Sequence, residues 1–254
     1  MTALARCCLL VVLTVPALGC ALIAVQPPTP ASHISEAELA ALTPQPGVRH
    51  YLIVYGSDKP SRNPAYTHTW TTLVTTTDVA GGPPSVVEET ISWLPVEMPI
   101  KALSRKTVPG RNYGLHETMR AMLDTKQDVA LWGPYEVWHR FAHRFRVQKQ
   151  FMESGAVGYQ CIDSWGEAGR TGSGCDCIHA ITDMDPEISR VGYPLFLYGQ
   201  PASARVVRRV MNSPAPIDAR TTHGWLLPHL ALDQYPIEQR TYHGPVDPSS
   251  RTRR

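Results

Sequence analysis

A Gly/Ser/Thr-rich stretch, Gly169 to Gly174, leads into Cys175-Asp176-Cys177 and then into CIHAITDM, which reads as a helix ending before Asp185-Pro186. A cysteine at a helix start meets free backbone N–H groups and the positive end of the dipole, both of which favour the thiolate. Cys177 is therefore the candidate nucleophile. Asp176 opposes that effect by like-charge repulsion unless its side chain caps the helix. A thiol nucleophile needs a base, and the base needs an orienting group. The candidate base is His68, in the β-prone run AYTHTWTTLVTTT (65–77), where His68, Trp70, Thr72 and Val74 share one face. The orienting group is expected from the neighbouring strand, which offers Glu88, Glu89 and Ser92. Glu89 is taken as the third catalytic residue, with hairpin register deciding among the three. The competing reading makes Cys177 a structural partner of Cys161 and His68 a core histidine.

The chain has six cysteines. Cys7, Cys8 and Cys20 lie at the N-terminus, and Cys161, Cys175 and Cys177 lie together. In an oxidising compartment thiols tend to pair, and three cannot all pair within the chain. A Cys175–Cys177 bond would close a small strained ring. Cys161–Cys175 is therefore the expected disulfide; it encloses about 13 residues and is worth on the order of 3 kcal/mol in chain entropy. His223 follows all three cysteines and makes Cys161–His223 the second-choice dyad. His139 and His143 are four apart, as metal-binding histidines can be, but no HExxH glutamate lies between them. No metal and no cofactor is expected. His179 reads as structural, and nothing marks Arg111, Tyr135 or Arg170 beyond a place that could line a cleft.

The elements that must position these residues follow from periodicity. HYLIVYG (50–56), the run 65–77 and VVEETISWLP (86–95) read as strands, the last two joined as a hairpin through DVAGGPPS. The run 101–113 is strand-like at most. GLHETMRAMLDTKQ (114–127) reads as a helix with Leu115, Met119, Met122 and Leu123 along one stripe. After the short apolar piece VALW, Pro134 is expected to open a second helix running to about Glu153, since Pro suits the first helical position. Arg140, Arg144, Arg146 and Lys149 on that helix read as a solvated face, with anionic lipid or glycan as the alternative contact. RVGYPLFLYG (190–199) reads as a strand and SARVVRRVMN (203–212) as a helix; THGWLLPHLALDQYPIEQR is irregular. No internal repeat is visible. The predicted class is α+β, an antiparallel sheet packed against helices.

The N-terminus carries one positive charge, Arg6, then an apolar run to Val25, the layout of a secretory signal. Ala17-Leu18-Gly19-Cys20 resembles the lipobox of bacterial lipoproteins, in which Cys20 would be lipidated. An uncleaved membrane helix and ordinary cleavage are the alternatives, and all three export the domain. The expected organisation is a signal or anchor over 1–25, a Pro-rich tether over 26–47, a single domain over 48–243 and a disordered tail over 244–254. SEAELAAL (35–42) is expected to form a short helix capped by Ser35. A net charge of +2 is too mild to imply nucleic acid.

His68-Thr69-Trp70 on a strand, followed by a Gly-rich approach to Asp176-Cys177 at a helix start, resembles the circularly permuted papain-like superfamily. Within it the likeness is to the Lnb-type periplasmic lipoprotein-processing domain, whose signatures are an aromatic-flanked HxF strand and an NC helix start. Asp176 stands where that family has Asn. The resemblance spans about Tyr51 to Asp185 and implies acyl or amide transfer through a thioester. The expected function is a membrane-anchored extracytoplasmic cysteine hydrolase or acyltransferase. Its expected substrates are amides or esters of an envelope peptide, lipoprotein or peptidoglycan, and backbone N–H groups at the helix start would hold the oxyanion. The alternatives are a non-catalytic envelope lipoprotein binding peptide, glycan or lipid on the same fold, and a structural envelope protein stapled by its cysteines.

Overall fold

Long runs of β-branched and aromatic residues dictate the centre of the molecule. In a computed structural model describing residues 29–102, 104–162, 174–188 and 198–242, they form β1 (Val48–Asp58), β2 (His68–Thr77) and β3 (Ser85–Ile91). With β6 (Asp128–Val137) and β9 (Ile237–Arg240) these build a five-stranded sheet in the order β3-β2-β1-β6-β9. Its first three pairings are antiparallel, whereas β9 runs parallel to β6. The fold is α+β as expected, with a mixed rather than purely antiparallel sheet. The edge strand β9 lies in a stretch that the sequence presents as irregular, because four residues with two charges carry no readable alternation.

Register assigns the faces. Leu73 pairs with Glu89 and Thr72 with Thr90, so odd residues of β2 share a face with odd residues of β3, and even with even. On the odd face lie α3 (His139–Glu153) and α5 (Gln200–Met211). Arg146 of α3 reaches Glu89 and Thr75, and Ser203 of α5 bonds Thr69. Gly56 of β1 is required there, since a Cβ would sit 2.3 Å from Ser203 Oγ. On the even face lies α2 (Leu115–Asp124), whose Thr118 bonds Ser92 and whose Leu115, Met119 and Met122 are buried. The expected stripe of α2 is observed, although Leu123 is only partly buried against the core.

Pro134 does not open a helix. VALWGPYEV is one strand, and α3 begins at His139. The β1–β6 register shifts between Leu52 and Val54, opposite Gly133-Pro134. This is a bulge, the one place inside a sheet where a residue without an N–H is tolerated. Gly133 has φ +105 there, and a Cβ would meet the Leu52 carbonyl oxygen at 2.6 Å. Two short strand pairs complete the sheets. β4 (Trp93–Pro95) lies antiparallel to β5 (Gly110–Asn112), and β7 (Gly158–Tyr159) parallel to β8 (Gly174–Cys175). An antiparallel bridge links Val108 to Tyr159.

The segment expected to be an extended tether is docked from residue 29 onward. Thr29 Oγ1 donates to the Asp183 carbonyl at 2.9 Å, and Thr29, Ala31 and Ser32 are buried. The helix α1 (Glu36–Ala41) has the expected Ser35 cap, closed into a capping box with Glu38. Arg144, expected on a solvated face, is instead buried under this arm, donating to the carbonyls of Ala31 and Ile34 and facing Glu36 and Asp185. Its five fixed donors satisfy carbonyls that a Pro-rich coil cannot pair internally. Arg146 and Lys149 are likewise spent on Glu89 and Glu153.

No helix among the described residues is long and apolar enough to cross a membrane. Cys20 and the rest of the N-terminal segment, Arg170, the predicted strand 190–199 apart from Tyr198 and Gly199, and the tail 244–254 lie outside the described residues.

Candidate active site

His68 opens β2, beyond the end of its pairing with β3. β3 pairs with β2 only as far as Ile91 opposite Thr71, so no strand among the described residues pairs with His68–Trp70 on that side. Cys177 lies near this edge: the backbone N–H of Thr69, the residue after His68, is close enough to favour its ionised form.

The imidazole is buried and held at one end. His68 Nε2 lies 2.9 Å from Ser92 Oγ, and Ser92 Oγ accepts from Thr118 Oγ1 at 2.7 Å. Ser92 and Thr118 are both fully buried. Ser92 sets the tautomer: accepting from both Thr118 and Nε2–H leaves the lone pair on Nδ1, whereas donating its own O–H to Nε2 puts the hydrogen on Nδ1. A proton acceptor at Nδ1 requires the first arrangement. Nδ1 is buried and has no hydrogen-bond partner among the described residues, the Cys177 sulfur included. The ring also stacks on Trp70, centroids 5.3 Å apart and planes 13° apart, and Trp70 stacks on Tyr55 at 5.0 Å. The column fixes the imidazole plane, as the predicted common face of His68 and Trp70 requires.

Ser92 occupies the position expected for Glu89. Glu89 lies on the opposite face of the sheet, bound to Arg146 Nε at 2.6 Å, because its register partner Leu73 is an odd residue. Glu88 shares the face of His68 but pairs across from Val74, six residues along β2. The sequence offers Ser92 among three candidates; Thr118, from a helix remote in sequence, carries no local signal.

Asp176 does what an N-cap aspartate should. Its Oδ1 accepts from the N–H groups of Ile178 (2.7 Å) and His179 (2.9 Å), and its Oδ2 meets His179 Nδ1 at 2.8 Å. The helical turn begins here, since Ala180 N–H bonds the Asp176 carbonyl, and it continues as α4 (His179–Thr182). Two of the N–H groups expected to hold an oxyanion are therefore occupied by the cap. His179 is fully buried as its partner, in keeping with a structural role.

Electrostatics differ from the expectation for a helix-start thiol. Burial, reinforced by the Asp176 carboxylate, pushes the Cys177 thiol up, well above the ordinary thiol range, against the lowering effect of the Thr69 N–H. Burial alone pulls His68 down to about 3. The resting pair is neutral thiol and neutral imidazole rather than thiolate and imidazolium.

Cys161, Cys175 and Cys177 are all thiols, and the expected Cys161–Cys175 disulfide is not formed. The parallel register sets Cys175 beside Tyr159, so Cys161, two residues further along, is not opposite it. His223 packs on Tyr51 at 4.8 Å and lies 4.0 Å from Glu136. Tyr51 is five residues along β1 from Gly56, the partner of Thr69. That distance separates His223 from the end of the sheet where the cysteines gather, and the second-choice dyad is not assembled. Arg111 is bound to Glu117, and the Tyr135 hydroxyl accepts from the Tyr242 N–H. His139 bonds the Leu42 carbonyl, and no metal-binding cluster is present among the described residues. Comparison with protein-family models, curated proteins and solved structures gives no match.

Proposed function

We propose that the chain is an exported thiol enzyme of permuted papain-like architecture that cleaves or transfers the acyl group of an amide or ester. Cys177 is the nucleophile, His68 the general base and acid, and Ser92 the positioning residue for His68. The observation that carries this reading is the split environment of the imidazole. Nε2 is held by a buried serine, Nδ1 is buried with no partner among the described residues, and the N–H of the next residue, Thr69, is near enough to favour the Cys177 thiolate.

In the first step Sγ attacks the carbonyl carbon while its proton moves to His68 Nδ1. The tetrahedral intermediate collapses, the C–N or C–O bond breaks, and the imidazolium returns the proton to the leaving group. A thioester on Cys177 remains, to be resolved by water or by an acceptor amine or alcohol. Mass spectrometry after brief exposure to a p-nitrophenyl acyl ester tests this directly. The expected adduct is on Cys177; acylation confined to other residues would sink the proposal.

Ser92→Ala removes the hydrogen bond that fixes the ring. A neutral bond is worth about 1 kcal/mol, so acylation is expected to slow by roughly fivefold to tenfold, with Ser92→Asn restoring part of the rate. Equal rates in Ser92→Ala and the unaltered protein would remove Ser92 from the mechanism.

The proposed setting is the cell envelope, with Cys20 as the lipid-bearing residue and envelope amides or esters as substrates. The signal-like composition of residues 1–25 supports it. Metabolic labelling with a clickable fatty acid is expected to mark the chain and to fail for Cys20→Ala. Labelling that survives the substitution would exclude the lipid anchor.

A further inference from the structure

On the face of the sheet opposite His68 lies a cavity of about 410 Å³. His50 of β1 stands there across from Thr75, an odd residue of β2. The first half of α3 contributes His139, His143 and Arg146 to the lining, and residues 42–45, between α1 and β1, contribute the rest of that wall. Trp138 and Ile217 also line it, and both are large side chains left 45% exposed.

The polar groups of this lining are donors, or become donors on protonation. His50 is only 8% exposed, and its Nδ1 lies 3.1 Å from Thr75 Oγ1, which accepts from Arg146 Nη2 at 2.7 Å. If Thr75 gives its own hydrogen to Nδ1, Nε2 carries the ring hydrogen; in the other tautomer protonation supplies it. Nε2 has no partner among the described residues. His139 Nε2 lies 3.1 Å from the Leu42 carbonyl. A carbonyl only accepts, so Nε2 is the N–H, and Nδ1 holds a lone pair that protonation turns into a donor. His143 has no hydrogen-bond partner among the described residues. Arg146 spends two of its five N–H groups, on Glu89 and Thr75. α3 begins beside these groups with Trp138 as an N-cap that makes no side-chain cap, so its positive end adds to their charge.

Among the described residues Glu136 is the one carboxylate in the lining, against Arg49, Arg146 and three histidines. The other charges facing these groups are Glu89 on Arg146, Asp78 at 4.0 Å from Arg49, Glu38 of α1 near His143, and His223 at 4.0 Å from Glu136. Burial, with Arg146 and His139 beside it, pulls His50 down to about 4; positive charge is crowded there, and a bound anion relieves it. A metal cation does not fit, since two arginines line the cavity and no metal-binding cluster is present among the described residues. A carboxylate has too few oxygens for groups arriving from both β1 and α3, whereas a phosphate offers three acceptor oxygens and up to two charges. We propose that this cavity binds a phosphomonoester, its phosphate on His50, His139, His143 and Arg146 and its organic part against Trp138 and Ile217. The site is independent of the reading of Cys177 as nucleophile.

The test titrates the full-length protein with phenyl phosphate in a calorimeter, with inorganic phosphate, benzoate and phenol as comparisons. Phenyl phosphate is expected to bind one to one. It should bind more tightly than inorganic phosphate, which lacks the apolar part, and than benzoate, which lacks the third oxygen; phenol should not bind. His143→Gln has no hydrogen bond to lose and should weaken phenyl phosphate by roughly threefold to tenfold near pH 6, the size expected for one charge a few ångströms away near a surface. Arg146→Gln should weaken it at neutral pH as well. Sulfate keeps both charges throughout, so it isolates the histidines. Its affinity should rise between about pH 7.5 and about pH 5.5, as imidazoles with an ordinary value near 6.5 take up protons. Most of that rise should vanish in His139→Gln with His143→Gln.

No saturable binding of phenyl phosphate at either end of that range overturns the proposal. Unchanged affinity in His143→Gln also overturns it, by placing the ligand elsewhere, and this variant decides the matter if Arg146→Gln, which strips Glu89 of its partner, fails to fold. A sulfate affinity that is flat with pH removes the histidines from the site. Benzoate binding as tightly as phenyl phosphate overturns the choice of phosphate, and inorganic phosphate binding as tightly overturns the choice of an organic part. Acylation of Cys177 should be unaltered in His143→Gln, so failure of the dyad leaves this test standing.

Discussion

Replacing His68 with alanine is expected to slow acylation of Cys177 by a p-nitrophenyl ester by about 10²–10⁴-fold, the range for loss of a positioned general base. Cys177→Ala should abolish the adduct altogether. The double variant should be no slower than Cys177→Ala, because nucleophile and base act as one unit. His68 is buried and bonded to Ser92, so His68→Gln, which keeps a polar group there, serves as the control for folding. Full rates in both His68 variants would end the enzyme reading and leave a binding module. The neutral resting pair adds a signature. With the thiol pushed up by burial and His68 pulled down to about 3, alkylation of Cys177 should keep rising with pH beyond the ordinary thiol range. A plateau reached below neutrality would instead reveal a standing thiolate–imidazolium pair and overturn the assignment of a neutral dyad.

The hairpin shows how nearly the site could be read from sequence. Every β2–β3 pair, from Thr77–Ser85 to Thr71–Ile91, is symmetric about Gly81, the first glycine of the turn. Symmetry about a residue pairs even with even numbers, so the face of His68 can carry Glu88, Thr90 or Ser92 and never Glu89. Without the turn centre that parity is unknown, and the carboxylate is the chemically attractive choice. Thr118 was beyond reach because no local pattern reports which helix residue will face a strand 50 positions earlier. Pro134 misled for a related reason. Local chemistry favours Pro at a helix start, but the following Tyr135-Glu136-Val137 pairs with β1, and that tertiary pairing decides. The docked arm is the same lesson at the surface. PPTPAS has the composition of a tether, yet from Thr29 onward it is packed by groups more than a hundred residues away, the Asp183 carbonyl and the Arg144 guanidinium. The α+β class, the strands β1 to β3, α2 and the Ser35 cap rest on short-range signals, and those are legible in the sequence.

Folding stability should fall steeply between neutral pH and pH 4. Burial pulls His68 down to about 3 and, with help from Arg146 and His139, His50 down to about 4. In the unfolded chain both titrate near the ordinary 6.5. Below that value the unfolded state binds protons that the folded state refuses, so stability is present above pH 6.5 and is lost as pH falls. Each histidine contributes a slope of about 1.4 kcal/mol per pH unit through its window. The His50 contribution is exhausted near pH 4 and the His68 contribution near pH 3. Asp185 works in the opposite sense, since burial raises its carboxyl, and it flattens the lower end. Combined losses of several kcal/mol are comparable to the whole stability of an ordinary domain. Urea midpoints taken at pH 7, 6, 5 and 4 should fall accordingly. In His68→Leu the midpoint at pH 7 shifts through lost hydrogen bonding, but the decisive readout is the slope, which should drop by about half between pH 6 and pH 4. A slope that survives intact in His68→Leu would mean that the imidazole is charged, or reachable by water, in the folded protein. The buried, unpartnered Nδ1 on which the base assignment depends would then be lost.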